Sequence, residues 1–237
     1  MTGTHHTRRL FRGILILFLL LAAAAAVYIS DYSRASDNVR AYLQDTAEVA
    51  VREIPEGLFL DGPGTQNALI FYPGGKVEYT AYLPLLHRLA EDGTDCFLVR
   101  MPANLAFLGV NKAGGILEAY DYDSWYLAGH SLGGVAAAFY AADHDLNGLI
   151  LLASYATKPV DEPVLQIYGS EDGVLNLDAL KENAGNLPAD SAVEVLDGAN
   201  HAGFGDYGDQ DGDGEAQITR EQQQEITADL IEAMITR

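Results

Sequence analysis

The feature that most constrains the fold of this chain is an alternation of short apolar runs with segments of helical length. The runs occupy residues 68–72, 96–99, 125–128, 149–152, 164–168 and 193–196. Most are apolar at consecutive positions, which is the pattern of strands that are covered on both faces. We therefore predict an α/β fold, a mostly parallel sheet with helices on both of its faces.

Helical periodicity and turn signals fill the rest of the pattern. Residues 136–142 form an alanine-rich helix, and Thr219 with Gln222 resembles a capping box that opens a last helix. A β-hairpin is predicted from residues 49–54 and 58–60. The apolar stripes are Tyr79, Leu83, Leu86 and Ala90 in an early helix, and Ile226, Leu230 and Met234 in the last one.

The length of 237 residues fits one sizeable domain. We predict a division into an N-terminal signal anchor or transmembrane segment over residues 1–30, a polar linker or short helix over 31–47 and the α/β domain over 48–237. No insertion between the alternating units is long enough to form a separate lid domain, so an open-faced core is expected.

The amino terminus departs from the composition of a cytosolic protein. Arg8, Arg9 and Arg12 precede an uncharged stretch over residues 13–29, which as a helix would be roughly 25 Å long. Basic residues before such a stretch place the amino end inside and the domain outside. An uncleaved membrane anchor, a cleaved signal peptide and a core helix are three interpretations of it; the anchor is preferred and leaves secretion after cleavage as the alternative.

Charge and cysteine content exclude several classes of function. The formal net charge of −20 argues against nucleic acid as a partner, because such surfaces need clustered lysine and arginine. Cys96, the single cysteine, lies within an apolar run and is predicted to be a small buried hydrophobic residue rather than a reactive thiol.

The strongest chemical signal is the segment Gly129-His130-Ser131-Leu132-Gly133. It follows a predicted strand directly and precedes a predicted helix, which is the setting of the G-x-S-x-G nucleophile elbow. Glycines permit the tight turn that lifts a serine hydroxyl above the sheet edge. We predict Ser131 to be a nucleophile, and His130 to pack beside it rather than to act as its base.

A serine hydroxyl needs a base, and the base needs an acid to orient it. In this arrangement the order along the chain is serine, acid, histidine, with each partner after a strand. Asp172 and His201 satisfy that order. Glu171 and the segment around Asp206 are alternatives for the acid.

An oxyanion hole is the remaining requirement. One donor is expected from the backbone N–H of Leu132. The other is expected from the loop Pro73-Gly74-Gly75-Lys76, and the amides of Gly75 and Lys76 are both candidates.

These motifs resemble the α/β-hydrolase superfamily, in particular its small lidless members such as the dienelactone-hydrolase-like and related membrane-anchored bacterial proteins. The resemblance covers residue 58 to the carboxyl end. It implies the fold, hydrolysis of a carbonyl bond without a cofactor, and triad roles for Ser131, Asp172 and His201. Dienelactone hydrolases proper use cysteine as the nucleophile, so their substrate is not carried over.

Two further segments carry weaker signals. Residues 209–214 (Asp-Gln-Asp-Gly-Asp-Gly) resemble the start of a calcium loop, but Arg220 stands where the bidentate acid is required, so no metal is predicted. The apolar loop over residues 104–108 could line an acyl pocket or close the core.

The sequence thus predicts a membrane-anchored serine hydrolase of esterase type that acts on a small-molecule ester. The alternatives are an acyltransferase or peptidase with the same triad, and a non-catalytic binding protein with the same fold. Neither the substrate nor the oligomeric state follows from the residues.

Overall fold

A computed structural model describes residues 3–236, without the side chains of residues 3–10 and 12. The predicted basic flank of Arg8, Arg9 and Arg12 therefore lies outside the described side chains. The chain divides into two compact units after Tyr32. The first unit contains helix α1 (Gly3–Ser30), and the second contains all other elements of the described chain.

The second unit is built on one sheet that, within the described residues, has eight strands in the order β1-β2-β4-β3-β5-β6-β7-β8. The strands are β1 (Ala50–Ile54), β2 (Gly57–Asp61), β3 (Asn67–Tyr72), β4 (Thr94–Val99), β5 (Ser124–His130), β6 (Gly148–Leu152), β7 (Val164–Gly169) and β8 (Ala192–Leu196). From β4 to β8 every neighbouring pair is parallel. All six predicted runs are strands, and β1 and β2 form the predicted hairpin, with Ile54 opposite Gly57.

Helices cover both faces of this sheet, as the alternation predicted. They are α2 (Leu83–Glu91), α3 (Lys112–Ala119), α4 (Leu132–Ala141), α5 (Leu177–Glu182) and α6 (Arg220–Ile235). Successive residues of β3 face opposite ways, so Leu69 packs with α2 and α6 in one core, and Ile70 packs with α3 and α4 in the other. Because β5, β6, β7 and β8 run parallel to one another, the carboxyl ends of β5, β7 and β8 lie at the same edge of the sheet.

Residues 33–47, most of the segment predicted to be a linker or a short helix, belong to the second unit and include a 3₁₀ helix over Asp37–Leu43. Ser33 pairs with Val77 in an isolated bridge, and Val39 is buried at 2% exposure. The Ser36 N–H donates to the carbonyl of Asp206 at 2.8 Å. Polar composition suggested a solvated connection, whereas here the polar groups bond to the domain surface.

Helix α6 has the predicted capping box between Thr219 and Gln222, but its buried face differs from the predicted one. Leu230 and Met234 are half-buried, and Ile226 is 41% exposed. The buried positions are Gln223, Gln224, Thr227, Ala228, Ile231 and Ile235. The face is rotated because polar side chains of the first turns are buried for hydrogen bonding, which an apolar stripe cannot reveal.

Helix α1 contains a stretch, Gly13–Ser30, that is long and apolar enough to cross a membrane, with a mean hydropathy of 2.6. Each of its residues is exposed, which is unlike the core helix of a soluble protein. The same length and composition occur in membrane anchors and in signal sequences.

Candidate active site

Ser131 stands in a sharp turn between the central strand β5 and helix α4. Its backbone has φ 52° and ψ −123°, a strained conformation for a residue with a side chain. Glycine is required beside it, because a Cβ on Gly133 would lie 2.3 Å from the carbonyl oxygens of Tyr72 and Pro73. The turn is the geometry that the elbow motif predicts.

Hydrogen bonds hold the strained residue from both sides. The Ser131 N–H donates to the carbonyl of Leu152 at 2.9 Å. The Ser131 carbonyl accepts from the N–H groups of Gly134 and Val135 and from the Ser154 hydroxyl, the last at 2.8 Å. The backbone of Ser131 is thus fixed by its own helix and by the neighbouring strand β6.

Asp172 and His201 follow β7 and β8 and meet above the sheet. The Nδ1 of His201 lies 2.9 and 3.1 Å from the two carboxylate oxygens of Asp172, and both side chains are at most 2% exposed. The carboxylate also accepts from the N–H groups of Val174 and Leu175. Because Asp172 accepts at Nδ1, the imidazole carries its proton there and leaves Nε2 as the basic nitrogen.

The Nε2 of His201 is buried and has no hydrogen-bond partner among the described residues. His201 lines a cleft of about 210 Å³ together with Ser131. The other lining residues are Leu132, Val135, Ala153, Ser154, Tyr155, Val174, Leu175 and Asn176. The structure thus places a serine and an oriented histidine on one small cleft.

The two alternative acids lie elsewhere. The Glu171 carboxylate accepts from the hydroxyl of its neighbour Ser170. Asp206 accepts from the Asn38 amide at 2.7 Å and pairs with Arg220 at 3.3 Å. Of the three candidate acids, Asp172 is the one that contacts His201.

The loop after β3 approaches the first turn of α4. A Cβ on Gly75 would lie 2.8 Å from the Leu132 side chain, so these residues are in close contact. The Lys76 N–H donates to the carbonyl of Asn104 at 2.7 Å and is therefore occupied. The N–H groups of Gly75 and Leu132 have no acceptor in the part of the chain that the structure describes.

With this geometry in view, the chain can be compared with known proteins. The sequence profile described as "Alpha/beta hydrolase family" matches residues 68–225, about two thirds of the chain. This chain belongs to the alpha/beta hydrolase family. The match includes all three residues of the Ser131–Asp172–His201 group and both glycines of the elbow.

Solved structures with the same fold are distant in sequence from this family member. A membrane phospholipase A, a bacterial virulence factor, is 16% identical, with a TM-score of 0.61 over 95% of this chain and 98% of that one. A CIB-like hydrolase from Thermoplasma acidophilum is 15% identical, with a TM-score of 0.61 over 78% and 99%. Dienelactone hydrolase from Anabaena variabilis is 13% identical, with a TM-score of 0.53 over 78% and 96%. No curated protein matches the sequence.

The variable residue of this hydrolase's elbow, His130, is buried between the site and the core. Its Nδ1 lies 2.8 Å from the Tyr82 hydroxyl, which also accepts from the N–H of Gly74. Burial holds the pKa of His130 well below its usual value; the nearby His201 ring, with centroids 4.6 Å apart, acts in the same direction, and the His201 backbone opposes it.

Sequence reasoning did not find Tyr82 or Ser154. Tyr82 lies in the turn before α2 and Ser154 directly after β6, and neither belongs to a motif. The position of Ser154 after a strand was its one available signal. The apolar loop over residues 104–108 takes part through the Asn104 carbonyl, whereas its Phe107 and Leu108 side chains are exposed.

Proposed function

We propose that this hydrolase cleaves a carboxylic ester or similar carbonyl bond through an acyl-enzyme intermediate on Ser131. One observation carries the proposal: the Nδ1 of His201 is bonded to Asp172 while its Nε2 is unpartnered, and His201 lines the same cleft as Ser131. An oriented imidazole beside a serine on a nucleophile elbow is the arrangement of acyl-transfer catalysis.

The reaction follows from these positions. The Ser131 Oγ attacks the carbonyl carbon while His201 Nε2 takes its proton, and Asp172 stabilises the imidazolium that forms. His201 then gives that proton to the leaving alkoxide as the C–O bond breaks. Water attacks the acyl-Ser131 ester, again through His201, and releases the acid. The unpaired amides of Leu132 and Gly75 are the proposed oxyanion donors, and the occupied Lys76 amide is the less suitable alternative.

The size of the cleft bears on the substrate. A volume of about 210 Å³ holds only a small group, and apolar and polar side chains both line it. We expect short acyl chains to be favoured. Two of the similar structures are named as a phospholipase and as a dienelactone hydrolase, which accords with hydrolysis of an ester bond.

Replacing Ser131 by alanine tests the proposal. The full chain in detergent should hydrolyse a nitrophenyl ester of a short acid and react with a fluorophosphonate probe. Ser131→Ala and His201→Ala should each lower the rate roughly 10⁴-fold, and the double variant should be little worse than either.

Ser154→Ala is the matched control, because Ser154 is the second serine on the cleft. That variant should still react with the probe. Activity in Ser131→Ala would contradict the mechanism, and transfer of the acyl group to an added amine or alcohol in preference to water would indicate an acyltransferase.

We also propose that α1 anchors the domain to a membrane, with the amino end inside and the domain outside. The apolar stretch Gly13–Ser30 supports this. Full-length protein should sediment with membranes and be cleaved by protease added outside intact cells. Recovery of a mature form that begins near Val27 in the medium would instead show a cleaved signal.

A further inference from the structure

One carboxylate beside the proposed site accepts hydrogen bonds from four backbone N–H groups. The Oδ1 of Asp213 accepts from Gly173 at 3.1 Å, His201 at 3.1 Å and Gly214 at 2.9 Å. Its Oδ2 accepts from Ala202 at 2.8 Å. Hydrogen bonds to an ionised acceptor are the stronger kind, so this is a well-held group.

The amides come from different parts of the site. Gly173 is the neighbour of Asp172 in the loop after β7. His201 and Ala202 belong to the loop after β8, and Asp213 itself lies in the acidic segment over residues 209–214. One side chain therefore joins the loop of the proposed acid to the loop of the proposed base.

Close backbone packing places this segment against the acid loop. A Cβ on Gly214 would lie 2.0 Å from the carbonyl oxygen of Glu171, and one on Gly173 would lie 2.5 Å from that of Gly212. The Asn200 side chain donates to the carbonyl of Gly214 at 2.9 Å. The segment is thus fixed on both sides of the Asp213 carboxylate.

We propose that Asp213 is a positioning residue that holds the loops of Asp172 and His201 in register. The proposal rests on the proposed function, in which the 2.9 Å contact between those residues orients the base. A misplacement of about 1 Å in such a group can lower a rate by roughly a hundredfold. Asp213 touches neither substrate nor reacting atom and acts through the backbone.

This role also explains why Asp213 lies in the acidic segment over residues 209–214. The segment resembled a calcium loop, yet both Asp213 oxygens are directed at N–H donors rather than towards other carboxylates. Among the side chains that the structure describes, no group of three or more histidine, cysteine and acidic residues is arranged to hold a metal ion.

The test compares Asp213→Asn with Asp211→Asn in the full chain. Asparagine at 213 puts an NH₂ donor where a backbone N–H must find an acceptor. Asp211 is exposed, and no described residue is hydrogen-bonded to its side chain, so Asp211→Asn removes one charge from the same segment without removing these contacts. We expect Asp213→Asn to lower kcat for nitrophenyl acetate roughly 10- to 100-fold with KM nearly unchanged, and Asp211→Asn to alter neither by more than about twofold.

A second measurement does not depend on turnover. The hydrogen-bonded Nδ1–H proton of His201 should give a low-field NMR resonance in the wild type and in Asp211→Asn. In Asp213→Asn we expect that resonance to be lost or broadened, while the circular dichroism spectrum stays the same as that of the wild type. A wild type that shows the resonance but no hydrolysis would contradict the proposed function and leave this comparison intact.

Asp213→Ser is a second variant for the case that Asp213→Asn does not fold. Its hydroxyl can still accept one N–H hydrogen bond and does not introduce a carboxamide. Wild-type kcat and resonance in Asp213→Asn would overturn the proposal. Equal losses in Asp211→Asn would assign the effect to charge and overturn it too. Unfolding of both Asp213 variants would reassign the residue to global stability.

Discussion

The two halves of the proposed site are built in different ways. The nucleophile half is made of consecutive residues, 129–133, and its Ser131 backbone is held chiefly by backbone groups. The acid–base half is held by side chains from later in the chain. Asp213 binds the amides of both loops, and Gln223 both donates to and accepts from the backbone of Asn200.

The difference separates two kinds of sensitivity. A turn made of close backbone contacts tolerates no added atoms, because the glycines leave no room for a Cβ. The loops of the acid–base half are also closely packed at Gly173 and Gly214, but their positions depend in addition on polar side-chain partners. The first half should therefore fail chiefly on small steric changes, whereas the second should fail also on changes that conserve shape and alter only hydrogen bonding.

The largest such effect is expected for Asp172→Asn. The amide can no longer accept as a charged group at Nδ1 and favours the wrong tautomer, so hydrolysis should fall roughly 10³-fold or more. The rate of nitrophenyl ester hydrolysis measures this. Glu171→Gln is the matched control and should stay within about tenfold, since Glu171 bonds to Ser170 instead. The reverse ranking of the two variants would show that the acid is Glu171.

Gly133→Ala should damage the nucleophile half. The added methyl would meet the carbonyl oxygens of Tyr72 and Pro73 at 2.3 Å, so the strand and the helix must separate. We expect a loss of roughly 1–3 kcal/mol in the free energy of unfolding or failure to fold, measured by thermal or urea melts. Gly185→Ala is the control, since a Cβ there meets no atom within 4 Å. Equal stability of the two variants would contradict the steric account of the elbow.

Ser154→Ala should have a smaller effect, because the Ser131 carbonyl keeps the N–H groups of Gly134 and Val135 after the hydroxyl is lost. We expect a loss of about 1 kcal/mol in stability and hydrolysis within about tenfold of wild type. A collapse of activity comparable to that in Asp172→Asn would show that the nucleophile, too, depends on side chains, and the contrast between the halves would not hold.

The smallest expected effect is on the pH dependence of stability and concerns His130. Its ring contacts that of His201, so it lies between the two halves of the proposed site. The pKa of His130 is lower in the folded protein than in the unfolded chain. Below about pH 6.5 the unfolded chain therefore binds a proton at this residue, whereas the folded protein does not. The contribution of His130 to the free energy of unfolding is therefore fully present above that pH. Below it, the contribution falls by roughly 1 kcal/mol per pH unit until the pKa of the folded protein is reached. Urea melts between pH 7 and pH 5 should show a shallower decline in His130→Gln than in wild type.

The same contrast explains what the sequence could predict. Strands and the elbow depend on neighbouring residues, so periodicity and the Gly129–Gly133 spacing located them. Chain order selected Asp172 and His201 as candidates, and the structure brings their side chains together. The contacts of Asp213 could not be predicted from the sequence, because its carboxylate bonds to backbone amides, three of them distant along the chain, and no local pattern encodes them. The short helices α3 and α5 were not predicted. For residues 31–47 the composition left a linker and a short helix open, because tertiary hydrogen bonds rather than composition decide where polar segments lie.

The position of β8 at the edge of the sheet has a consequence for how the enzyme would lose activity. β8 pairs on one side only and is mostly exposed, whereas β3 and β5, which support Ser131, are central and buried. Local opening reaches edge elements at lower free energy than central ones. Backbone amides of β8 should therefore exchange with deuterium well before those of β5. If His201 is the base that we propose, mild denaturant should reversibly abolish hydrolysis by freeing it from Asp172, while most of the sheet is still folded.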